Sequence, residues 1–357
     1  MRINLLKGRS LLVEGSVKIE ITAGEVSVLG KGLSEGNTLI IAKSRPFVIE
    51  AEADSGIEAQ LGKGAKVELL ERSAIPTDWK LAVEEIIGSP KPCVILILGG
   101  VNVGKSTLAT YIANISYDSY RTAVVDADVG QSDIGPPCTI GMGILNEKLT
   151  TLSDVPLEAV YFVGKTSPYG YVHRCVEGTK RMVELAKEKG VEIVIVDSTG
   201  WISSDARELK LAKAKAIRPK FILALQRGDE LEYLLEPLSE MSVVRSLTVS
   251  EYVQARSRSQ RRSLRERAYD RYFAGGKKVV LNLTQLKMID SIGKGKRGQL
   301  VGFLDSRKEF LGLGIIEKMD YAKGKAVIFT PVGGGVDGIM FGALRLVYKD
   351  GGFREVI

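Results

Sequence analysis

An α/β core built on a central parallel sheet, flanked by an N-terminal β-sandwich and a small C-terminal β domain, is the fold this sequence predicts. Three observations predict it. Short alternating apolar segments, broken by turn residues, fill residues 1–72. Apolar β-branched runs then alternate with helical patterns through 73–274, the rhythm of parallel strands joined by crossover helices. From Gly275 to the end, 275–357, short Gly-rich strand patterns return.

The composition allows this organisation and narrows the chemistry. At 357 residues the chain can bury two or three cores, and 45% hydrophobic with 26% charged residues is an ordinary globular balance. No apolar run reaches membrane-spanning length, and the stretch Met-Arg-Ile-Asn-Leu-Leu-Lys at the start lacks a signal-peptide core. The expectation is therefore a soluble, intracellular protein with no membrane partner, cytoplasmic if its source is prokaryotic or archaeal. Cys93, Cys138 and Cys175 show no metal-ligand spacing and are expected as reduced thiols. A single histidine, His173, argues against a His-ligated metal centre or a His-dependent triad. Any metal should then be hard, oxygen-ligated and brought in with a ligand. The net charge of +7 is a mild bias toward polyanions that matters only where it is clustered.

In the N-terminal part, the runs at 11–13, 17–21, 25–29, 38–41 and 67–70 alternate apolar and polar residues, which suggests a small antiparallel sandwich. Nothing in it looks catalytic; packing, substrate guidance and partner docking all remain open. Ile75-Pro-Thr-Asp-Trp79 opens a short amphipathic helix with Thr77 or Asp78 as its cap, ending near Gly88. Pro90 and Pro92 then punctuate the approach to the first core strand.

That strand, 94–98, runs into the stretch on which the core turns: Gly99-Gly100-Val101-Asn102-Val103-Gly104-Lys105-Ser106-Thr107. Gly-x4-Gly-Lys-Ser between an apolar strand and a helix start is the phosphate-binding loop of P-loop NTPases. Its glycines let successive amides curl around a phosphate, and the helix N-terminus adds partial positive charge. Lys105 can reach the β- and γ-phosphates, and the Ser106 hydroxyl can ligate Mg²⁺. The plain alternative is a Gly-rich turn that happens to hold a lysine. Further strand-like runs lie at 122–125, 159–163, 192–196 and 221–225, with helical patterns at 176–189, 205–217 and 229–240. Parallel sheets place ligands at the carboxyl ends of their strands, so the residues just after each run should carry the chemistry.

Two strand ends supply acids: Asp126-Ala-Asp128-Val-Gly130-Gln131, and Asp197-Ser-Thr199-Gly200-Trp201. Phosphoryl transfer needs a metal held by a loop hydroxyl and an acid, together with a carboxylate to take the acceptor proton. Asp126, Asp128 and Asp197 are all candidates for these roles, and Ser106 with Asp126 is the expected metal pair. The alternative for any one acid is a turn cap, while Gly130 would let the backbone bend close to a ligand. Trp201, one of two tryptophans, follows a strand-end glycine and can either stack on a base or cap the edge of the sheet.

The stretch 254–273 holds seven arginines against two acids, and Arg258, Arg261/Arg262 and Arg265 share a helix face. A solvated basic helix is the ordinary fate of such a run. Its arginine-rich character and its place after the core favour a lid over a nucleotide. The role of Gly164-Lys-Thr-Ser-Pro168, a strand-end loop, is open beyond a place along the groove.

Taken together, the phosphate loop, Asp126-x-Asp128-x-Gly-Gln131, Thr199-Gly-Trp201 and the arginine stretch resemble the polyribonucleotide 5′-hydroxyl kinases. That family includes the kinase subunit of the eukaryotic pre-mRNA cleavage factor, nucleolar rRNA-processing kinases and archaeal counterparts. The three-part layout resembles it too, over nearly the whole chain. The resemblance implies Mg²⁺-dependent transfer of the γ-phosphate of ATP to the 5′-hydroxyl of RNA, with DNA as a second acceptor to be tested. It implies Asp128 as general base, Lys105 following the phosphoryl group, and Thr199, Gly200 and Trp201, with Gln131 nearby, gripping the terminal nucleotide. A lid motif of the form Arg-x3-Arg could be Arg258/Arg262, Arg261/Arg265 or Arg267/Arg271; spacing from Tyr272-Phe273 favours Arg261 and Arg265. Protein partners through the β domains are compatible with catalysis. The competing readings are a nucleotide-switch GTPase or ATPase and a scaffold subunit of an RNA-processing complex. Against a GTPase, no Asn-Lys-x-Asp motif is present; the nearest strand-end stretch is Leu225-Gln-Arg-Gly-Asp229.

Overall fold

In the computed structural model the described residues are 1–41, 46–252, 257–289 and 295–356. Residues 254–256 of the arginine stretch, Arg256 among them, lie outside these.

The N-terminal region is a sandwich of two antiparallel sheets. One orders Arg2–Leu5, Ser55–Leu61, Val17–Ala23 and Thr38–Ile41; the other orders Lys31–Ser34, Glu25–Val28, Phe47–Ala51, Ser10–Glu14 and Lys66–Leu70. Alternation sends Val17, Ile19 and Ile21 inward to meet Leu11, Val13, Val26 and Ile49 of the facing sheet. The helix Thr77–Gly88 follows, but neither Thr77 nor Asp78 caps it with a side-chain hydrogen bond. The Asp78 carboxylate instead accepts the Thr248 N–H at 2.6 Å, and Trp79 Nε1 donates to the Thr248 carbonyl at 2.9 Å, so this helix is fastened to the edge of the core.

The core sheet has seven strands in the order Ala159–Phe162, Thr139–Ile144, Thr122–Ala127, Ile193–Ser198, Cys93–Gly99, Phe221–Gln226 and Val243–Thr248. The last five are parallel. Helices on both faces bury the three central ones completely, which is why their sequences are nearly continuous Val, Ile and Leu. The sheet is mixed rather than parallel throughout, because Thr139–Ile144 and Ala159–Phe162 run antiparallel at one edge. The expected parallel strand at 159–163 is therefore half of an edge hairpin. Its other half, carrying Gly141 and Gly143, has no continuous apolar run to announce it.

After the helix Arg258–Phe273 comes a mostly antiparallel sheet of Lys277–Asn282, Lys325–Thr330, Phe310–Asp320, Gln299–Leu304, Gly338–Lys349 and Lys287–Ile289, with Gly352–Val356 paired to Gly338–Lys349. One of its faces shares a core with Phe162, Cys138, Tyr269 and Phe273, which docks both the edge hairpin and the arginine helix onto it. Among the described residues no helix is long and apolar enough to cross a membrane.

Candidate active site

The site forms where three adjacent parallel strands end. Register sets Asp126 of Thr122–Ala127 beside Asp197 of Ile193–Ser198, and Asp197 beside Ile97 of the strand that feeds the loop. The loop leaves that strand through Gly99 and closes with Asn102 and Gly104 in left-handed backbone, φ 57° and 94°. Gly104 sits just before the helix Lys105–Tyr117, so its conformation turns the loop amides toward one point at the helix N-terminus.

A cavity of about 610 Å³ opens over this point. Of the sequence candidates it is lined by Val101, Asn102, Val103, Gly104, Lys105, Ser106, Thr107, Asp128, Gly130, Gln131, Asp197, Thr199, Gly200, Trp201, Arg261 and Arg265. Gly99, Gly100 and Asp126 do not line it. Lys105 lies folded along the loop, its Nζ donating to the Gly100 carbonyl at 2.7 Å. That contact is worth little against a triphosphate and holds the ammonium at the mouth of the nest.

The three acids have separate environments. Asp126 is buried and structural: one oxygen accepts the Asp128 N–H, and the other accepts the N–H groups of Asp133 and Ile134 and the Ser132 hydroxyl. Burial, with Asp197 alongside, pushes its pKa well up. The acid beside Ser106, where Asp126 was expected, is Asp197, whose Oδ2 accepts from the Ser106 hydroxyl at 2.6 Å. Its Oδ1 is buried with no hydrogen-bond partner among the described residues. Burial raises the Asp197 pKa to about 6, held from going further by Lys105 and the Ser106 hydrogen bond. An orphaned carboxylate oxygen next to a hydroxyl in an oxygen-rich pocket fits a hard divalent cation. Asp128 is more open. Its Oδ1 accepts the N–H groups of Gly130 and Gln131 at 3.0 and 3.1 Å, which fixes the carboxyl group of a residue that lines the cavity.

Trp201 is half-buried, resting against the core while lining the cavity, so the base-facing and sheet-capping positions coincide. Gly200 is required by close approach: a Cβ there would lie 3.0 Å from the backbone of Val101, so the Thr199–Trp201 turn packs on the phosphate loop itself. Gly130 lines the cavity and also serves a second approach, since a Cβ there would stand 2.7 Å from the Thr166 carbonyl. It seats the 164–168 loop, of which Thr166, Ser167 and Pro168 line the cavity. That loop is also tied to the C-terminal sheet by the Ala343 N–H, which donates to the Gly164 carbonyl.

The arginine helix presents three faces. Arg262, Glu266, Tyr269 and Phe273 dock on the C-terminal sheet, Arg261 and Arg265 line the cavity, and Arg267 and Arg271 turn elsewhere. Arg258 and Arg262 are absent from the cavity lining. Arg265 is held by a bidentate pair with buried Glu355 at 2.6 and 2.7 Å, and Arg261 has no side-chain partner among the described residues.

Two residues escaped sequence reading. Lys210 and Lys213, on the helix Arg207–Ile217, are fully buried beneath the strand ends. Lys210 Nζ donates to the Ser198 hydroxyl and the Thr199 carbonyl, and Lys213 Nζ donates to the Ala127 carbonyl at 3.2 Å. Burial drives both pKa values down, that of Lys210 furthest. Their only sequence signal is that they share the helix face of Leu209, Ala214 and Ile217.

The chain is similar to several known proteins. Residues 99–275 match the family model described as mRNA cleavage and polyadenylation factor CLP1 P-loop. The chain is 38% identical over 210 residues to a polyribonucleotide 5′-hydroxyl-kinase of Pyrococcus abyssi, a match spanning 58% of each protein. The match therefore covers less than two thirds of that relative's length. A polyribonucleotide 5′-hydroxyl-kinase of Thermococcus kodakarensis is 28% identical over 329 residues, 76% of this chain and 93% of that one. The solved wild-type Clp1p–Pcf11p complex contains a chain that superposes with a TM-score of 0.73 at 15% identity, covering 97% of both chains, a likeness of fold.

Proposed function

We propose, on the premise that this chain belongs to the family of the mRNA cleavage and polyadenylation factor CLP1 P-loop, that it transfers the γ-phosphate of ATP to the 5′-hydroxyl of RNA. The observation that carries the proposal is a single cavity lined at once by the phosphate loop, by Asp128 and by Trp201.

The loop amides and the helix N-terminus hold the triphosphate, and Lys105 leaves the Gly100 carbonyl to follow the γ-phosphoryl group. Ser106 and Asp197 would hold Mg²⁺, which neutralises phosphate charge when bound. Trp201 stacks on the terminal base and Thr199 borders it, bringing the 5′-hydroxyl toward Asp128. Asp128, oriented by the Gly130 and Gln131 amides, accepts the hydroxyl proton as the oxygen attacks phosphorus and ADP departs. Arg261 and Arg265 meet the charge that spreads over the transferring oxygens. Lys210 and Lys213 hold the ends of the two strands that present Thr199 and Asp128.

Incubation with ATP labelled at the γ-phosphate and RNA bearing either a 5′-hydroxyl or a 5′-phosphate tests this. Label should appear on the 5′ end of the hydroxyl RNA alone. Label released only as free phosphate, with either RNA, would instead identify a hydrolysing switch.

A further inference from the structure

Behind the arginine helix lies a second cavity, of about 890 Å³, between that helix and the N-terminal sandwich. It shares Gln131, Asp133 and Arg265 with the first cavity, so the two adjoin at the edge of the helix. Its helix wall presents Arg267 and Arg271, both exposed and both without a side-chain partner among the described residues. Its opposite wall carries Ile40, 82% exposed, and half-buried Phe47.

The groove carries charge of both signs, and its acids are drawn into local contacts while two of its arginines are not. Asp154 is occupied by the N–H groups of Thr150 and Thr151, and Asp270 by the Phe353 N–H with Arg354 nearby. Asp133 accepts the Ser153 hydroxyl. The two arginines are left to face the groove, set one helical turn apart, opposite an apolar and aromatic surface. Unpaired guanidinium groups facing an apolar wall that holds one aromatic ring suit a single strand: phosphates on one side, a base against the ring on the other.

We propose that this groove carries the RNA strand on the 3′ side of the phosphorylated nucleotide, with Arg267 and Arg271 on its phosphodiesters and Phe47 under a base. The proposal rests on the kinase reading for its substrate. It makes the enzyme a reader of strand length: a dinucleotide fills only the first cavity, and a longer acceptor fills both.

The test compares a dinucleotide with an acceptor of about ten nucleotides, measuring transfer and, separately, binding by fluorescence anisotropy. For the wild-type chain the long acceptor should have the higher kcat/KM. In the double variant Arg267→Gln/Arg271→Gln the long-to-short ratio should fall about tenfold, the scale of two exposed charge contacts. The slope of log affinity against log salt should become shallower by about 1.4 for the long strand. Arg267→Lys/Arg271→Lys should keep most of the length advantage, which separates lost charge from lost fold. A long-strand affinity and salt slope unchanged in the Gln variant overturns the proposal, and points to another occupant such as a protein segment. A wild-type chain that binds long RNA through these arginines yet transfers no phosphate overturns the kinase reading and leaves the groove standing.

Discussion

Replacing Asp197 with Asn should make the unliganded protein more stable while removing its activity. In the folded chain the carboxyl is buried, with one oxygen unpartnered among the described residues, and its pKa stands at about 6 against an ordinary 3.8. The folded state therefore holds a proton more tightly than the unfolded chain does. As pH rises from about 4 through about 6 the folded protein binds the extra proton, then loses it, and stability falls across that window. Two pH units at 1.36 kcal/mol each amount to about 3 kcal/mol, fully expressed above pH 6. Asn does not titrate, and its carbonyl oxygen can still accept from Ser106, so Asp197→Asn should escape this cost. Asp126 titrates in both proteins, and losing the Asp197 charge beside it eases its own upward shift, which acts in the same direction. Chemical denaturation of the two proteins without nucleotide or divalent cation, from pH 4 to pH 8, is the assay. The curves should meet near pH 4 and diverge by up to about 3 kcal/mol at neutral pH, with Asn the more stable. A gap independent of pH, or a less stable variant at pH 7, would refute the buried-charge argument. The instability has a use: a divalent cation at Asp197 would relieve it, so stability is given up at the point where charge is needed.

The other predictions concern the acceptor side and the loop. Lys105→Ala should abolish transfer with the melting temperature nearly unchanged; near-normal turnover would take the loop lysine out of the mechanism. Trp201→Ala should raise the KM for RNA roughly 5- to 150-fold, the equivalent of 1–3 kcal/mol of stacking, and leave the KM for ATP alone. An unchanged RNA KM would assign the indole to the core only. Lys210→Met should raise the RNA KM several-fold through the loosened Thr199 carbonyl, at little cost in stability, because the desolvation of the buried ammonium offsets its hydrogen bonds. Equal effects on ATP and RNA would mean a general structural role.

What the sequence made legible was the chemistry that sits immediately after apolar strands. The loop, Asp128 and Trp201 could be placed because parallel strands expose their carboxyl ends, and the chain spells each end with Gly, Asp or Thr. The edge hairpin was hidden, since Thr139–Ile144 mixes glycine into its apolar residues and pairs with a strand that looks parallel by composition. Asp126 and Asp197 have equivalent strand-end positions in the sequence. They are told apart by the turn at 132–134, whose amides and hydroxyl saturate Asp126 and leave Asp197 free to face Ser106. The three arginine pairs share one internal spacing; distance from Tyr272-Phe273 favours Arg261 and Arg265, and the docking of Tyr269 and Phe273 on the C-terminal sheet is what turns that pair to the cavity. Lys210 and Lys213 went unread because their one local signal, a shared face with Leu209, Ala214 and Ile217, does not by itself report how deeply that face is covered.

The account stands on donor and acceptor occupying one cavity together. A bisubstrate analogue, adenosine joined through a polyphosphate bridge to the 5′-oxygen of a short RNA, probes this by titration against ATP and RNA separately. It should bind far more tightly than either half and be displaced by each. An analogue that binds no better than ATP alone, with RNA unable to displace it, would place the two ligands apart and contradict the mechanism.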